Sequence, residues 1–362
     1  MQRVKNIFRN SSHVVECILL KNGSLPFIDD NFFYVTSLQQ GFFEGACALL
    51  YPDGAVEILV SELEAESAKK SAARRSVYKT KDEFSNSLKR LLSDVKTIGI
   101  NASGLSYLEF KKLTETFPQT TFVDVSDGFL KTRLIKDAQE IDHIKHACTI
   151  VDETMAAIPD FIAAGMTENE LAAEINYSLQ SLGAEKPAFD TICSFGKNSA
   201  EPHYTHGDTQ LETGTFVLCD FGACVSKYNS DITRTFVFGK ANKQQKEMYD
   251  TVRHAQQIAL DAIQPQGSAQ EIHRMVLSFI DSTPFKGRFI HSTGHSLGLA
   301  VHDGVGFTPE SALILQENMI LTVEPGVYIP GFGGVRIEDD ILIKKGGIEL
   351  LTKSSRDLVE LE

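Results

Sequence analysis

The sequence predicts two domains: an α/β domain over residues 1–127, then an α+β domain over residues 128–362 built from two pseudo-twofold halves. Three observations carry this. The chain has 362 residues, long for a single core. Its first part alternates strand and helix signals, as an α/β domain does. From Asp137 onward the order helix, helix, acid-bearing hairpin occurs twice. The helix-start signals at Thr167 and Ser268 lie 101 residues apart, and the leading acids Asp220 and Glu324 lie 104 apart.

Taken in order, residues 14–20 read as a strand, and residues 46–51 and 55–60 as a hairpin turning at Pro52-Asp53-Gly54. Ser61-Glu62-Leu63-Glu64 reads as a capping box that opens a helix. Helix patterns at 83–92 and 107–116 precede strands at 97–100 and 121–125, and Asp127-Gly128 reads as the domain break. A helix over 138–163 places Ile141, Ile144, Cys148, Val151, Met155 and Ile158 on one face. Gly165-Met166-Thr167 ends it, and Thr167-Glu168-Asn169-Glu170 is a capping box for the next. The second half repeats this, with a helix over 243–263 presenting Met248, Val252, Ala255 and Ala259. A break at Gly267-Ser268 and a capping box Ser268-Ala269-Gln270-Glu271 follow.

The net charge is −13, from 35 basic and 48 acidic residues. It disfavours nucleic acid or an anionic membrane as partner, and no basic run interleaves with aromatics. The polar N-terminus lacks the apolar stretch of a secretory signal, and no segment approaches a membrane span. Cysteines 17, 47, 148, 193, 219 and 224 are scattered, as reduced buried thiols are in a cytoplasmic protein. Cys219 and Cys224 read as core packing, since no second pair completes a zinc site.

The last third carries the chemistry. Asp220 and Asp231 flank one hairpin pattern, Glu324 and Glu338 flank another, and His295 lies between them in sequence. An acid within a β-branched, aromatic run is costly to bury unless it is neutralised or bound to a cation. Four such acids and one imidazole suit two divalent ions bridged by carboxylates, and so metal-assisted hydrolysis. The structural alternative is salt bridging to Arg234 and Arg336. Asp220-Phe221-Gly222 is not a kinase motif, because no companion kinase elements occur. Gly331-Phe332-Gly333-Gly334 reads as a hairpin loop, not a phosphate cradle, because no helix start follows.

Seven stretches resemble one family in order and spacing. They are Glu201-Pro202-His203, Cys219-Asp220-Phe221-Gly222-Ala223, residues 228–235, Thr293-Gly294-His295-Ser296-Leu297-Gly298-Leu299, Val301-His302-Asp303, Thr322-Val323-Glu324-Pro325-Gly326 and residues 334–339. The family is the pita-bread metallopeptidases, which holds Xaa-Pro dipeptidases (prolidases), Xaa-Pro aminopeptidases and methionine aminopeptidases. Residues 31–36 resemble an extended element of the prolidase-type front domain, which methionine aminopeptidases usually lack.

The resemblance implies a pita-bread catalytic domain holding two divalent ions (Mn, Co, Zn or Fe) on Asp220, Asp231, His295, Glu324 and Glu338. It implies Glu324 as proton shuttle and His203 and His302 as donors to substrate. It also implies a homodimer acting on small peptides, most simply Xaa-Pro dipeptides, with Xaa-Pro aminopeptidase activity on longer peptides as the alternative. The remote alternative is a metal-free binding module, whose members typically lose ligands. Three departures stand out. Ser296 replaces a usual Gly, Asp303 a commoner Glu, and Gly304-Val305-Gly306 a segment that in some archaeal prolidases carries an Arg for a dipeptide's carboxylate. Arg336 is the remaining anion partner in the motif set, unless it orients a metal carboxylate.

Overall fold

A computed structural model describes residues 1–362 as two compact units, Met1–Arg133 and Leu134–Glu362. The front unit is built on a six-stranded mixed sheet. Its strand order is Arg74–Tyr78, Val56–Ser61, Cys47–Leu50, Cys17–Lys21, Thr97–Ile100 and Thr121–Asp124. The Cys47–Leu50 strand is antiparallel to both neighbours; the outer pairings are parallel. Helices Lys81–Leu91 and Tyr107–Thr116 begin where Thr80 and Ser106 accept from the amides of Glu83 and Glu109. Their Leu88 and Leu113 close a core with Leu19, Leu49, Leu59 and Ile98. Burial pushes the Cys17 and Cys47 thiols up to about 12, so both are inert packing groups.

Two expectations for this unit are corrected. Residues 61–64 open no α-helix. Two short 3-10 turns form instead, Glu62–Glu64 and Ser67–Lys70, because the Glu64 carboxylate is taken by the Phe43 amide and Ser61 makes no cap bond. Residues 31–36 are not extended but lie in the helix Asp30–Thr36. The buried Asp29 starts it by accepting from the Asn31 amide, and Asn101 holds that carboxylate from the other side. Helix Ser126–Leu134 runs through Asp127-Gly128, and the two units divide at its end. Gly128 allows close packing there, for a Cβ would lie 2.7 Å from the Ile7 carbonyl.

The back unit shows the repeat in its hydrogen bonds. Helices Ala138–Phe161, Glu168–Ser181 and Lys243–Ala262 each begin with a full capping box, on Asp137, Thr167 and Asn242. Ser268 caps Ala269–Asp281 from one side only, because the Glu271 carboxylate is taken by Arg274. Before the second helix of the first half, Gly165 N donates to Leu211 O, Leu211 N to Met166 O, and Glu168 N to Thr209 O. In the second half Gln266 N donates to Leu315 O, Leu315 N to Gly267 O, and Ala269 N to Leu313 O. The same ladder thus closes both halves. Each half has its own core: Val151, Ile175, Leu179, Val217 and Ile232 in one, Val252, Ile272, Val276, Leu321 and Ile341 in the other. No helix is long and apolar enough to cross a membrane.

The strands differ from the expected pair of hairpins in an instructive way. Phe216–Phe221 pairs antiparallel with Ile232–Phe238, placing Asp220 opposite Thr233. Between them the chain makes a further hairpin, Ala223–Val225 with Tyr228–Asn229, whose two turn residues Ser226 and Lys227 are left-handed. In the second half the acids do not sit on paired strands. Ile320–Val323 pairs with Asp339–Lys344, while Gly326–Ile329 pairs with Gly333–Arg336. Pro325 has no N–H to continue a ladder, so the strand changes partner there. Glu324 and Glu338 each occupy such a break.

Candidate metal centre

Each of the five predicted ligands lies in or directly beside a paired backbone segment. Asp220 is the penultimate residue of Phe216–Phe221, and Asp231 immediately precedes Ile232–Phe238. The Glu338 amide donates to the Thr233 carbonyl at 3.1 Å, an isolated bridge that brings an acid of the second half against a strand of the first. His295 lies on a segment paired on both sides. Thr322 N donates to His295 O and Glu324 N to Thr293 O, each at 2.8 Å; on the far side Phe307 N donates to Gly294 O. This explains the glycines. A Cβ on Gly294 would lie 2.0 Å from the Thr322 carbonyl, and one on Gly306 would lie 2.2 Å from the Gly294 carbonyl. The segment 304–306 is therefore the pairing partner of the histidine segment. Asp303 beside it is buried near Gly298, with Lys136 Nζ 3.9 Å from its carboxylate.

The side chains converge. Ligand atoms of Asp231, His295 and Glu338 lie within 4.8 Å of one another. His295 Nε2 is 3.6 Å from Asp231 Oδ2 and 3.5 Å from Glu324 Oε1. Asp220 joins through Arg336, which bonds its Oδ2. The clustered acids raise one another's affinity for protons. Burial, then the charges of Glu338 and Asp220, push Asp231 well above the carboxylate range. Burial, then Glu324 and Asp220, do the same to Glu338. Burial lifts Glu324 to about 7 against the pull of Arg336, and Asp220 adds to the rise. Burial lowers His295, leaving a neutral imidazole. Its Nδ1 faces the Ser296 carbonyl at 3.3 Å, so Nε2 turns a lone pair toward the two carboxylates. Asp220 Oδ1 and Asp231 Oδ1 are buried without a hydrogen-bond partner. A lone pair facing carboxylates, orphaned acid oxygens and mutually repelling acids fit a divalent cation.

The surroundings fix the ligands. Arg336 Nη2 holds Asp220, Nη1 donates to the Tyr328 hydroxyl at 2.8 Å, and Nε donates to Thr233 Oγ1 at 3.0 Å. Thr233 in turn donates to Glu338 Oε2 at 2.5 Å. All three guanidinium nitrogens are thus engaged, and Arg336 orients Asp220 directly and Glu338 through Thr233. Arg234 pairs with Asp339 at 2.6 Å, not with a ligand acid. Tyr328, having accepted from Arg336, donates to His291 Nε2 at 2.9 Å. His291 Nδ1 donates to the Ser292 carbonyl, and burial, then Arg336, lower this ring to about 3, so it stays neutral. Asp340 Oδ2 accepts from the Asp231 amide at 2.9 Å and from Cys148 at 3.3 Å. Thr233, Tyr328 and Asp340 were not singled out from sequence. Alternation was the available signal for the first two: Thr233 follows Asp231 by two residues, and Tyr328 follows Glu324 by four.

His302 packs edge-on against His295, with centroids 4.3 Å apart; desolvation of its inner side, then His295, lower it below the ordinary value. His203 is exposed, on the segment after the Ile192–Phe195 strand, and its charge bears on both His291 and His302. His206, three residues on, is tied to Asn169 at 2.6 Å. Among the other histidines, His143 stacks on Tyr228, His254 packs at a tilt against Phe279, and His273 bonds Thr293 Oγ1.

Comparison with known proteins gives the family. Residues 142–345 match the model of metallopeptidase family M24, and residues 8–135 match the creatinase/prolidase N-terminal domain. The chain belongs to metallopeptidase family M24, in its form with a creatinase/prolidase front domain. It is 39% identical to a Xaa-Pro dipeptidase of Pyrococcus furiosus over 303 residues, 83% of this chain and 86% of that protein. It is 37% identical to a Xaa-Pro dipeptidase of Pyrococcus horikoshii over 99% of both chains. The solved prolidase of P. horikoshii superposes with a TM-score of 0.90 at 36% identity, covering 99% of this chain and 100% of that one. The solved X-Pro aminopeptidase of Thermotoga maritima gives 0.89 at 30% identity, covering 95% and 97%.

Two outcomes are expected of the centre. In metal-stripped protein the raised carboxyls bind protons in the folded state that the unfolded chain releases. Their contribution is complete below the ordinary value of 4.5 and is lost as pH rises through about 7, the Glu324 window. Stripped protein should therefore lose stability between pH 5 and pH 8, on the order of 3 kcal/mol from Glu324 alone. Added Mn²⁺ should raise the melting temperature more at pH 8 than at pH 5. Urea denaturation at both pH values checks this, and equal stripped stability would refute it. Second, Arg336→Lys should reduce kcat/KM by roughly 10- to 100-fold, equally on Xaa-Pro and Xaa-Pro-Yaa peptides, since Lys cannot hold three partners at once. A loss confined to dipeptides would instead put Arg336 on the substrate carboxylate.

Proposed function

We propose that this chain is a metal-dependent Xaa-Pro dipeptidase. The observation that carries the reading is four acids, three of them buried, converging with one neutral imidazole and only Arg336 to answer their charge, in a chain that matches Xaa-Pro dipeptidases over its whole length. Asp220, Asp231, His295, Glu324 and Glu338 would hold two divalent ions, with Mn, Co, Zn and Fe all suited to a carboxylate-rich set. Such ions supply Lewis acidity toward a peptide carbonyl and acidify water.

The protein groups then have defined tasks. Glu324, whose carboxyl titrates near neutrality when unliganded, moves a proton from water to the leaving nitrogen. An amine anion is too basic to be expelled, so the prolyl nitrogen leaves only once protonated. His203 and His302 donate to the oxygen that gains charge. Arg336, Thr233 and Tyr328 keep the carboxylates in register.

One observation favours the rival reading, an Xaa-Pro aminopeptidase acting on longer peptides. Arg336 is committed to Asp220, Tyr328 and Thr233, which removes the motif's nearest cation for a dipeptide carboxylate. A metal-free binding module is disfavoured because all five ligand types are retained, with Asp231, His295 and Glu338 turned toward one point.

The deciding measurement uses stripped enzyme reloaded separately with Mn²⁺, Co²⁺, Zn²⁺ and Fe²⁺. Xaa-Pro should be cleaved faster than Xaa-Pro-Yaa, with two ions per chain by elemental analysis. Tripeptides cleaved as well as or better than dipeptides would transfer the assignment to the aminopeptidase. The resemblance to dipeptidase-type members also supports a homodimer. Light scattering should give twice the 40.0 kDa chain mass, and a monomer at micromolar concentration would end that proposal.

A further inference from the structure

The segment that carries His203 is held by a carboxylate that the metal centre does not use. Glu168, the first residue of helix Glu168–Ser181, is fully buried. Its Oε1 accepts from the Phe195 amide at 2.8 Å and from Asn198 Nδ2 at 2.9 Å. Its Oε2 accepts from the Gly207 amide at 3.1 Å. One oxygen thus holds the start of the segment and the other holds its end, with His203 between. The helix N-terminus favours the negative charge at this position. Desolvation, then the Glu168 charge, also push Tyr204 above its ordinary value, placing that phenol at the same carboxylate.

The neighbouring contacts tighten the same segment. Asn198 Nδ2 also reaches the Tyr204 hydroxyl and Thr209 Oγ1, both at 2.9 Å. Asn169 accepts at His206 and donates to Asp208. At the waist of the segment, Gly334 N donates to Ser199 Oγ at 2.8 Å. A Cβ on Gly334 would lie 2.0 Å from the Ser199 carbonyl, so that contact needs glycine.

The internal repeat isolates what Glu168 is for. The backbone ladder at this helix start recurs in the second half, where Ala269 stands in the place of Glu168 and makes the equivalent amide bond to Leu313. The scaffold therefore does not require a carboxylate at this position. What the first half adds is the segment 196–207 and its histidine.

We propose that Glu168 is a positioning residue for His203, a single buried carboxylate that closes both ends of the 196–207 segment and so aims the imidazole at the substrate. The proposal rests on the reading of His203 as a substrate-contacting donor. Misplacing such a group by about 1 Å reduces turnover on the order of 100-fold. Glu168→Gln is nearly isosteric. Its carbonyl oxygen can keep Phe195 and Asn198, but its NH2 group then faces the Gly207 N–H and cannot accept.

Two arms test this on the full-length, metal-loaded enzyme. In the first, hydrogen exchange by mass spectrometry should show E168Q exchanging faster within 196–207, with the metal-ligand strands unchanged. This arm needs no substrate, so it reads the tether even if wild-type enzyme proves inactive on Xaa-Pro peptides. Unchanged exchange in 196–207 overturns the proposal, whatever the activity. In the second, E168Q should lower kcat/KM on Xaa-Pro by about 10-fold or more with full metal content, yet by less than about 2-fold in a His203→Ala background. Equal losses in both backgrounds overturn the proposal, as does a His203→Ala enzyme with wild-type kinetics. Should E168Q fail to fold, Asn198→Ala removes one of the three donors, and the same two patterns, at smaller size, decide the matter.

Discussion

Four carboxylates brought together out of water, with one arginine to answer them, are the constraint on which the rest of this protein depends. Like charges at such separations cannot all ionise in a low dielectric, so the centre must either take up protons or bind cations. Asp231, Glu338 and Glu324 are all displaced upward, and the imidazole of His295 is displaced downward. These shifts have one physical origin, a site shaped for positive charge that its own side chains do not supply. The fold tolerates the centre because the acids lie in or directly beside strands whose backbone groups are satisfied by their neighbours.

That satisfaction crosses the pseudo-twofold. Thr233 of the first half receives the Glu338 amide on its carbonyl, donates its hydroxyl to the Glu338 carboxylate, and accepts from Arg336. Arg336 in turn reaches back to Asp220. The two halves are therefore stitched through the ligands themselves. Loss of Arg336 would leave Asp220 with fewer partners and Tyr328 without its donor. The Tyr328–His291 pair extends the chain of bonds to the ring that sits 3.9 Å from Glu324. Only neutral His291 can accept the Tyr328 proton, which is why its depressed basicity matters to the geometry.

The halves share a scaffold and differ in what they hang on it. The same hydrogen-bonded ladder closes the helix pair in each, and each helix pair covers its own core. Divergence is concentrated where chemistry is placed. Glu168 and the segment it closes occur in the first half; the doubly paired His295 segment, with Gly294 and Gly306 permitting the approach, occurs in the second. A duplicated framework of this kind leaves the positions between its rungs free to carry different side chains.

Helix starts and ligand types were legible in the sequence because both are local. Thr167 and Glu170 announce a capping box within four residues, and an aspartate inside Phe216-Val217-Leu218-Cys219 is anomalous by itself. The two misread capping boxes share a cause. Ser61 to Glu64 has the letters of a cap, but Glu64 is taken by Phe43, and Glu271 is taken by Arg274. In both cases a competing partner, which the local pattern does not specify, decided the outcome. The pairing of Ile320–Val323 with Asp339–Lys344, the commitment of Arg336 to Asp220, and the hold of Glu168 on both ends of the His203 segment were decided by tertiary structure. The partners in these contacts come from positions well separated in the chain. Periodicity reports which face of an element is buried; which distant group meets that face is settled only when the two halves close on each other.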